Sequence, residues 1–168
     1  EALALLDNLL KESPNDPFLF ELQGDILQDA GRVAESIPPY RKAIEILPWA
    51  ALIRINMAQS LLELNDDAAS DEALDNLQQA LRYKPETPLL WRLLATAYSR
   101  ADDQPHVMLA LAEEAILIGK RSEARQRATR AMELLPEGSA SWIRAQDIQN
   151  AAEKKKNATA GFNFLLLG

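Results

Sequence analysis

The opening stretch EALALLDNLLKESP sets its apolar residues at helical period and closes on a proline. The same kind of ending returns three times. YRKAIEILP (residues 40–48), LQQALRYKP (77–85) and ATRAMELLP (128–136) each read as an anchor, two polar residues, an alanine, four residues and a proline. An active site needs no copies. Stacked helix pairs do, because each pair buries its apolar face only against a neighbour.

The letters between these endings complete the pairs. Phe20, Gln23, Gly24 and Leu27 predict a first helix, and Ser36, Tyr40, Ala43 and Pro48 a second. Met57, Ala58 and Leu61 repeat the first-helix pattern, followed by Ala73, Leu77, Ala80 and Pro85. Trp91, Leu94, Ala95 and Tyr98 form a nearly ideal first helix; Met108, Leu111 and Ala112 then precede Ala124, Ala128, Ala131 and Pro136. Ala2, Leu6, Leu9 and Pro14 fit a second helix whose partner is missing. Small residues at Gly24, Ala58, Ala95 and Ala112 let the helices of a pair approach, and Ala43, Ala80 and Ala131 do so toward the next pair.

Proline spacing shows where the pattern departs from regularity. Pro14 to Pro48 is 34 residues and Pro48 to Pro85 is 37, so three residues are inserted, with NDDAASDE (65–72) as the natural loop. Pro85 to Pro136 is 51, one and a half repeats, which requires an extra helix around residues 106–118. That helix must partner both the Trp91 helix and the Ala124 helix. SIPPYR places Pro38 and Pro39 early in a helix, predicting a start or a kink near Ser36. A last helix over about residues 139–155 carries Trp142, Ala145, Ile148 and Ala152 on one stripe and suits a capping role; Lys154, Lys155 and Lys156 would favour its C-terminus.

The predicted fold is therefore all-α, a solenoid of antiparallel helix pairs with one extra helix and a C-terminal capping helix. It spans residues 1–156, and 157–168 form an apolar tail. The helical opening, without initiator Met or signal peptide, reads as a fragment of a longer chain.

Composition narrows the function. A net charge of −7 and no cysteine disfavour a nucleic-acid surface and exclude a thiol nucleophile, and no apolar run reaches membrane-spanning length. His106 is the one histidine, too little for a zinc site that wants several N or S ligands. The acidic run 65–72 lacks EF-hand spacing and reads as a solvated loop. GKRS (119–122) matches the end of a phosphate loop, but Glu114 stands where its first glycine is required, leaving Gly119 as a helix cap. Nothing in the sequence places Ser, His and Asp together as a triad.

What remains is a surface. First helices of such an array line its concave face, and residues there outside the packing motif are Leu22, Asp25, Ile55, Asn56, Gln59, Arg92, Thr96 and Ser99. Amides can pair with an extended peptide backbone and Arg92 can hold a carboxylate, so a protein or peptide partner is expected. The tail ATAGFNFLLLG (158–168) is expected to lie extended in such a groove, its own or a neighbouring chain's.

Over residues 2–136 the repeats resemble tetratricopeptide proteins. A narrower resemblance covers nearly the whole chain. LQGDILQDAGRVAESIPPYRKAIEILP, LLWRLLATAYSR and LALAEEAILIGKRSEARQRATRAMELLPEGSASWIRAQDI are similar to the C-terminal tetratricopeptide region of bacterial cell-envelope HExxH zinc metalloproteases, of the outer-membrane barrel assembly-enhancing protease type. The PP pair, the extra helix before GKRSEAR and the LPEGSxxWxRAQDI ending carry it. That resemblance implies a periplasmic location, with zinc and catalysis in a separate N-terminal domain. Here the helical region would bind partners or substrates in outer-membrane protein quality control. HExxH is absent from this chain, so no catalytic residue, metal ligand or cofactor is expected in it. The alternative is a freestanding cytoplasmic adaptor or scaffold of co-chaperone type. Carboxylate-clamp domains are a poorer match, because the first full unit offers Glu21 and Asp25.

Overall fold

The computed structural model of the chain describes residues 2–64 and 66–165, with side chains as far as residue 153. Every regular element among them is an α-helix. The chain divides into two compact units, residues 1–85 and 86–168.

Unit 1 holds α1 (Ala2–Glu12), α2 (Pro17–Asp29), α3 (Val33–Ile46), α4 (Ala51–Glu63) and α5 (Asp67–Leu81), each packed on the next. Asp16 starts α2 by accepting from the Phe18 amide at 2.9 Å, with Pro17 at the first helical position. Helix α1 rests on α2. Of its expected packing residues only Leu6 is buried; Leu9 is exposed. Unit 2 holds α6 (Pro88–Arg100), α7 (Gln104–Leu117), α8 (Arg121–Leu134) and α9 (Ala140–Leu165). Helix α7 packs on α6, α8 and α9, the double partnership that the 51-residue proline interval requires. Its core is built on Ala112, Ala115, Ala124, Ala128, Ala131, Ala145 and Ile148, with Trp142 against it. Small side chains let three helices close on α7.

The repeat register holds to the atom. Ser36, Tyr40 and Ala43 on α3, Ala73, Leu77 and Ala80 on α5, and Ala124, Ala128 and Ala131 on α8 all have 0% exposure. Ala43 and Ala131 are each the eleventh residue of their helix, whereas Ala80 is the fourteenth of α5. The three inserted residues thus lengthen α5 at its start.

That overturns the loop expected over 65–72. Asp66 caps α5 by accepting from the Ala69 amide at 2.9 Å, and the acidic residues that follow sit in the first turns, where a helix N-terminus favours them. Helix α3 likewise begins at Val33, three residues before Ser36, with Pro38 and Pro39 inside it. The prolines withhold amides from the carbonyls of Ala34 and Glu35, and both residues are exposed to water. The last correction concerns the C-terminus. Helix α9 runs to Leu165, so the backbone of 158–165 is helical rather than extended, and Lys154–Lys156 lie within the helix rather than at its end. Alanine, lysine and glutamate dominate 151–160, and their helix propensity outweighs Gly161. Side chains beyond 153 and all of 166–168 lie outside the described residues.

Gly119 follows α7 at φ 80°. The Lys120 amide donates to the Ala115 carbonyl at 2.8 Å, the six-residue closure of a helix C-cap, as the sequence reading expects. Asp102 occupies the same place after α6 at φ 55°, where the Asp103 amide donates to the Tyr98 carbonyl at 2.9 Å.

Candidate peptide-binding surfaces

In unit 1 the face shared by α2 and α4 is a network of carboxylates and amides. The Tyr40 hydroxyl lies 2.6 Å from Asp25 Oδ1 and 3.0 Å from Gln28 Oε1, and the charged acceptor is the nearer. Asn56 Nδ2 donates to Asp25 Oδ1 at 3.3 Å, and Gln59 Nε2 to Glu63 Oε1 at 3.3 Å. Burial, and then the bond to Asp25, push the Tyr40 hydroxyl well above the ordinary tyrosine pKa. Asp25 and Asn56 are therefore brought together, and Gln59 joins the same network through Glu63, to which Gln28 Nε2 also donates at 3.5 Å. Leu22 is exposed beside them on α2. Ile55 is only 2% exposed: α4 contacts α2, α3 and α5 and buries Ile53, Ile55 and Met57 alike, so this side chain cannot meet a ligand.

Unit 2 gathers the other three. Arg92, Thr96 and Ser99 line one open groove of about 370 Å³ between α6 and α7. Arg100 joins them, and Ala95, Val107 and Leu111 supply the apolar side. Arg92 Nε donates to Glu114 Oε1 at 2.7 Å; the arginine side chain is 62% exposed and the glutamate 11%. Glu114 thus steadies one edge of a guanidinium that stays open to water. Thr96 Oγ1 donates to the Arg92 carbonyl at 3.2 Å, leaving its lone pairs to accept. Such a groove can pair with an extended backbone through hydroxyls, hold a carboxylate at arginine and bury an apolar side chain between. The sequence already carried a signal for Arg100, eight positions after Arg92 on the same helical face. Val107 and Leu111 come from the extra helix, and only the pairing of α7 with α6 could add them.

Two further constellations were not legible. Glu113, buried beside Glu114, receives both Arg144 Nε and, at 2.8 Å, Arg144 Nη2 from α9. These bonds hold the Arg144 guanidinium above its ordinary pKa. Consecutive glutamates thereby tie α7 to two different helices. The structure also joins residues that the sequence left apart: His106 Nδ1 lies 2.8 Å from Asp103 Oδ2, and His106 Nε2 lies 3.1 Å from Ser141 Oγ. Asp103 is the cap of α7, and the Asp103 and His106 side chains are each 35% exposed. This constellation bridges the starts of two helices and acts as a latch between α7 and α9. Among the described residues there is no group of three metal-ligating side chains, and no helix is long and apolar enough to cross a membrane.

No family model matches the chain, and no curated protein matches it. Among solved structures, it is similar to MamA protein at 17% identity, covering 96% of this chain and 84% of that one with a TM-score of 0.68. MamA 41-end from Desulfovibrio magneticus RS-1 matches at 16% identity over 94% and 85%, TM-score 0.65. A thermophilic TPR protein of Thermus thermophilus, TTC0263, matches at 19% identity over 88% of each chain, TM-score 0.52. At these identities the likeness is one of fold. The fold is all-α, of the tetratricopeptide class.

Proposed function

We propose that the chain is a non-catalytic protein-binding module whose α6–α7 groove receives an extended peptide bearing a carboxylate. The convergence of Arg92, Thr96, Ser99 and Arg100 beside Val107 and Leu111 carries this reading. Charge distribution supports it. Residues 1–85 hold seven Lys or Arg against fifteen Asp or Glu, whereas 86–168 hold eleven against ten. A carboxylate therefore meets far less repulsion on unit 2. Fluorescence polarisation with a peptide of apolar residues and a free C-terminal carboxylate tests it. Arg92→Ala should weaken binding about tenfold, the value of one charge-assisted contact of about 1.4 kcal/mol. Equal binding of the amidated peptide would overturn the reading.

For the biological setting, the sequence resemblance favours the partner-binding region of a periplasmic zinc metalloprotease, with zinc in a separate domain. A freestanding scaffold fits the fold equally well. Reading the gene upstream separates the two: a signal peptide and HExxH favour the first, their absence the second.

A further inference from the structure

Unit 1 carries a recess whose composition differs from that of the α6–α7 groove. Phe18 opens α2, Trp49 lies in the turn before α4, Leu52 is on α4 and Tyr83 follows α5. They are 62, 60, 55 and 55% exposed. Apolar side chains of this size scattered singly need no explanation. Here they converge on one opening of about 280 Å³, which also receives Glu21 and Lys84. The folding of unit 1 leaves these rings uncovered. Aromatic side chains on a recess are the residues that carry most binding energy in protein interfaces.

Charge favours a cationic occupant. Glu21 is half-buried at the recess and makes no ion pair among the described residues. Burial first, and Asp25 second, push its pKa above the ordinary carboxylate value. An approaching cation would oppose the second cause, the repulsion from Asp25, and favour the ionised carboxylate. Aromatic faces attract the same kind of group, a Lys or Arg head whose aliphatic stem also packs on apolar walls. The wider field agrees, because unit 1 has fifteen acidic against seven basic residues. Lys84 opposes it, as an exposed ammonium at the same opening.

We propose that this recess binds an Arg or Lys side chain from a basic segment of a partner protein, with the stem against Trp49, Tyr83 and Phe18 and the charge toward Glu21. The site shares no residue with the α6–α7 groove and stands or falls independently of it.

The test is an NMR titration of the whole chain with the peptide acetyl-Ala-Ala-Arg-Leu-Arg-Ala-amide. A second peptide carries citrulline, the neutral isostere, at both arginines. The arginine peptide should shift the Trp49 indole and Tyr83 ring signals. Citrulline, Glu21→Gln and Trp49→Ala should each weaken binding at least tenfold, and Lys84→Gln should tighten it. Glu21→Gln is near-isosteric at a partly solvated position, so it reads the charge even if Trp49→Ala disturbs the fold. Equal binding of the citrulline peptide would make the recess a purely apolar anchor and overturn the proposal. So would ring signals that no peptide moves.

Discussion

Gly24 has no room for one added carbon. A Cβ there would lie 2.5 Å from Tyr40 Cε1 and 2.7 Å from Cδ1 and Cζ. Tyr40 cannot swing away, because its ring is fully buried and its hydroxyl is tied to Asp25. Gly24→Ala is therefore expected to cost about 1–3 kcal/mol by overpacking, and Gly24→Leu and Ala43→Leu at least as much. Gln59→Ala removes only a bond to exposed Glu63 and should change stability by about 0.5 kcal/mol or less. Thermal melts of the four variants check this; equal losses would break the repeat register. Asp102 makes the opposite case. It adopts the left-handed conformation that Gly119 adopts after the next helix. Asp102→Gly should stabilise by about 0.5–1 kcal/mol, and Gly119→Ala should destabilise by about 1 kcal/mol. Chemical denaturation of both settles the point, and a loss in Asp102→Gly would mean that the Asp side chain stabilises the turn.

At the scale of helices, Tyr40 makes the pairing of α2 with α3 sensitive to alkali. Its folded pKa is raised above the ordinary 10.0, so below that pH both folded and unfolded chains keep the proton and stability is level. Above it the unfolded chain releases the proton first, and stability falls. Tyr40→Phe should flatten that fall in melts above pH 10, the ordinary tyrosine value; an unchanged slope would assign it to other groups. The latch between α7 and α9 is tested by His106→Ala and Ser141→Ala. Each should cost about 0.5–1.5 kcal/mol, and the double mutant should show coupling rather than simple addition. Which helices exist and which partner each takes was legible, because an alanine at a crossing and a proline at an end are packing rules written locally. The start of α5 was not: DDAASDE suits a loop or an acidic helix start equally, and only the buried Ala69 and Ser70 distinguish them. Buried Glu113 and Glu114 were also illegible, since their arginines lie 31 residues later in the chain and 22 earlier. The face rule for first helices put Arg92, Thr96 and Ser99 on one groove but misplaced Ile55, because α4 is covered on more sides than the rule assumes.

Over the whole molecule, the net charge of −7 divides into −8 on residues 1–85 and +1 on residues 86–168, and the two proposals assign opposite ligands to the two units accordingly. Unit 1 gathers Glu21, Asp25, Asp29 and Glu63 on α2 and α4, while unit 2 places Arg92 and Arg100 along its groove. Both attractions act at exposed or half-exposed groups, so both are screened. The Debye length falls from about 30 Å at 0.01 M salt to about 8 Å at 0.15 M. Affinity for the arginine peptide at unit 1 and for the carboxylate peptide at unit 2 should therefore both decline over that range. Arg92→Ala should flatten only the second salt dependence and Glu21→Gln only the first. Measuring each peptide separately across the salt series avoids their pairing with one another in solution. If a single substitution flattened both curves, the two surfaces would be one electrostatic site, and the division of ligands between the units would fail.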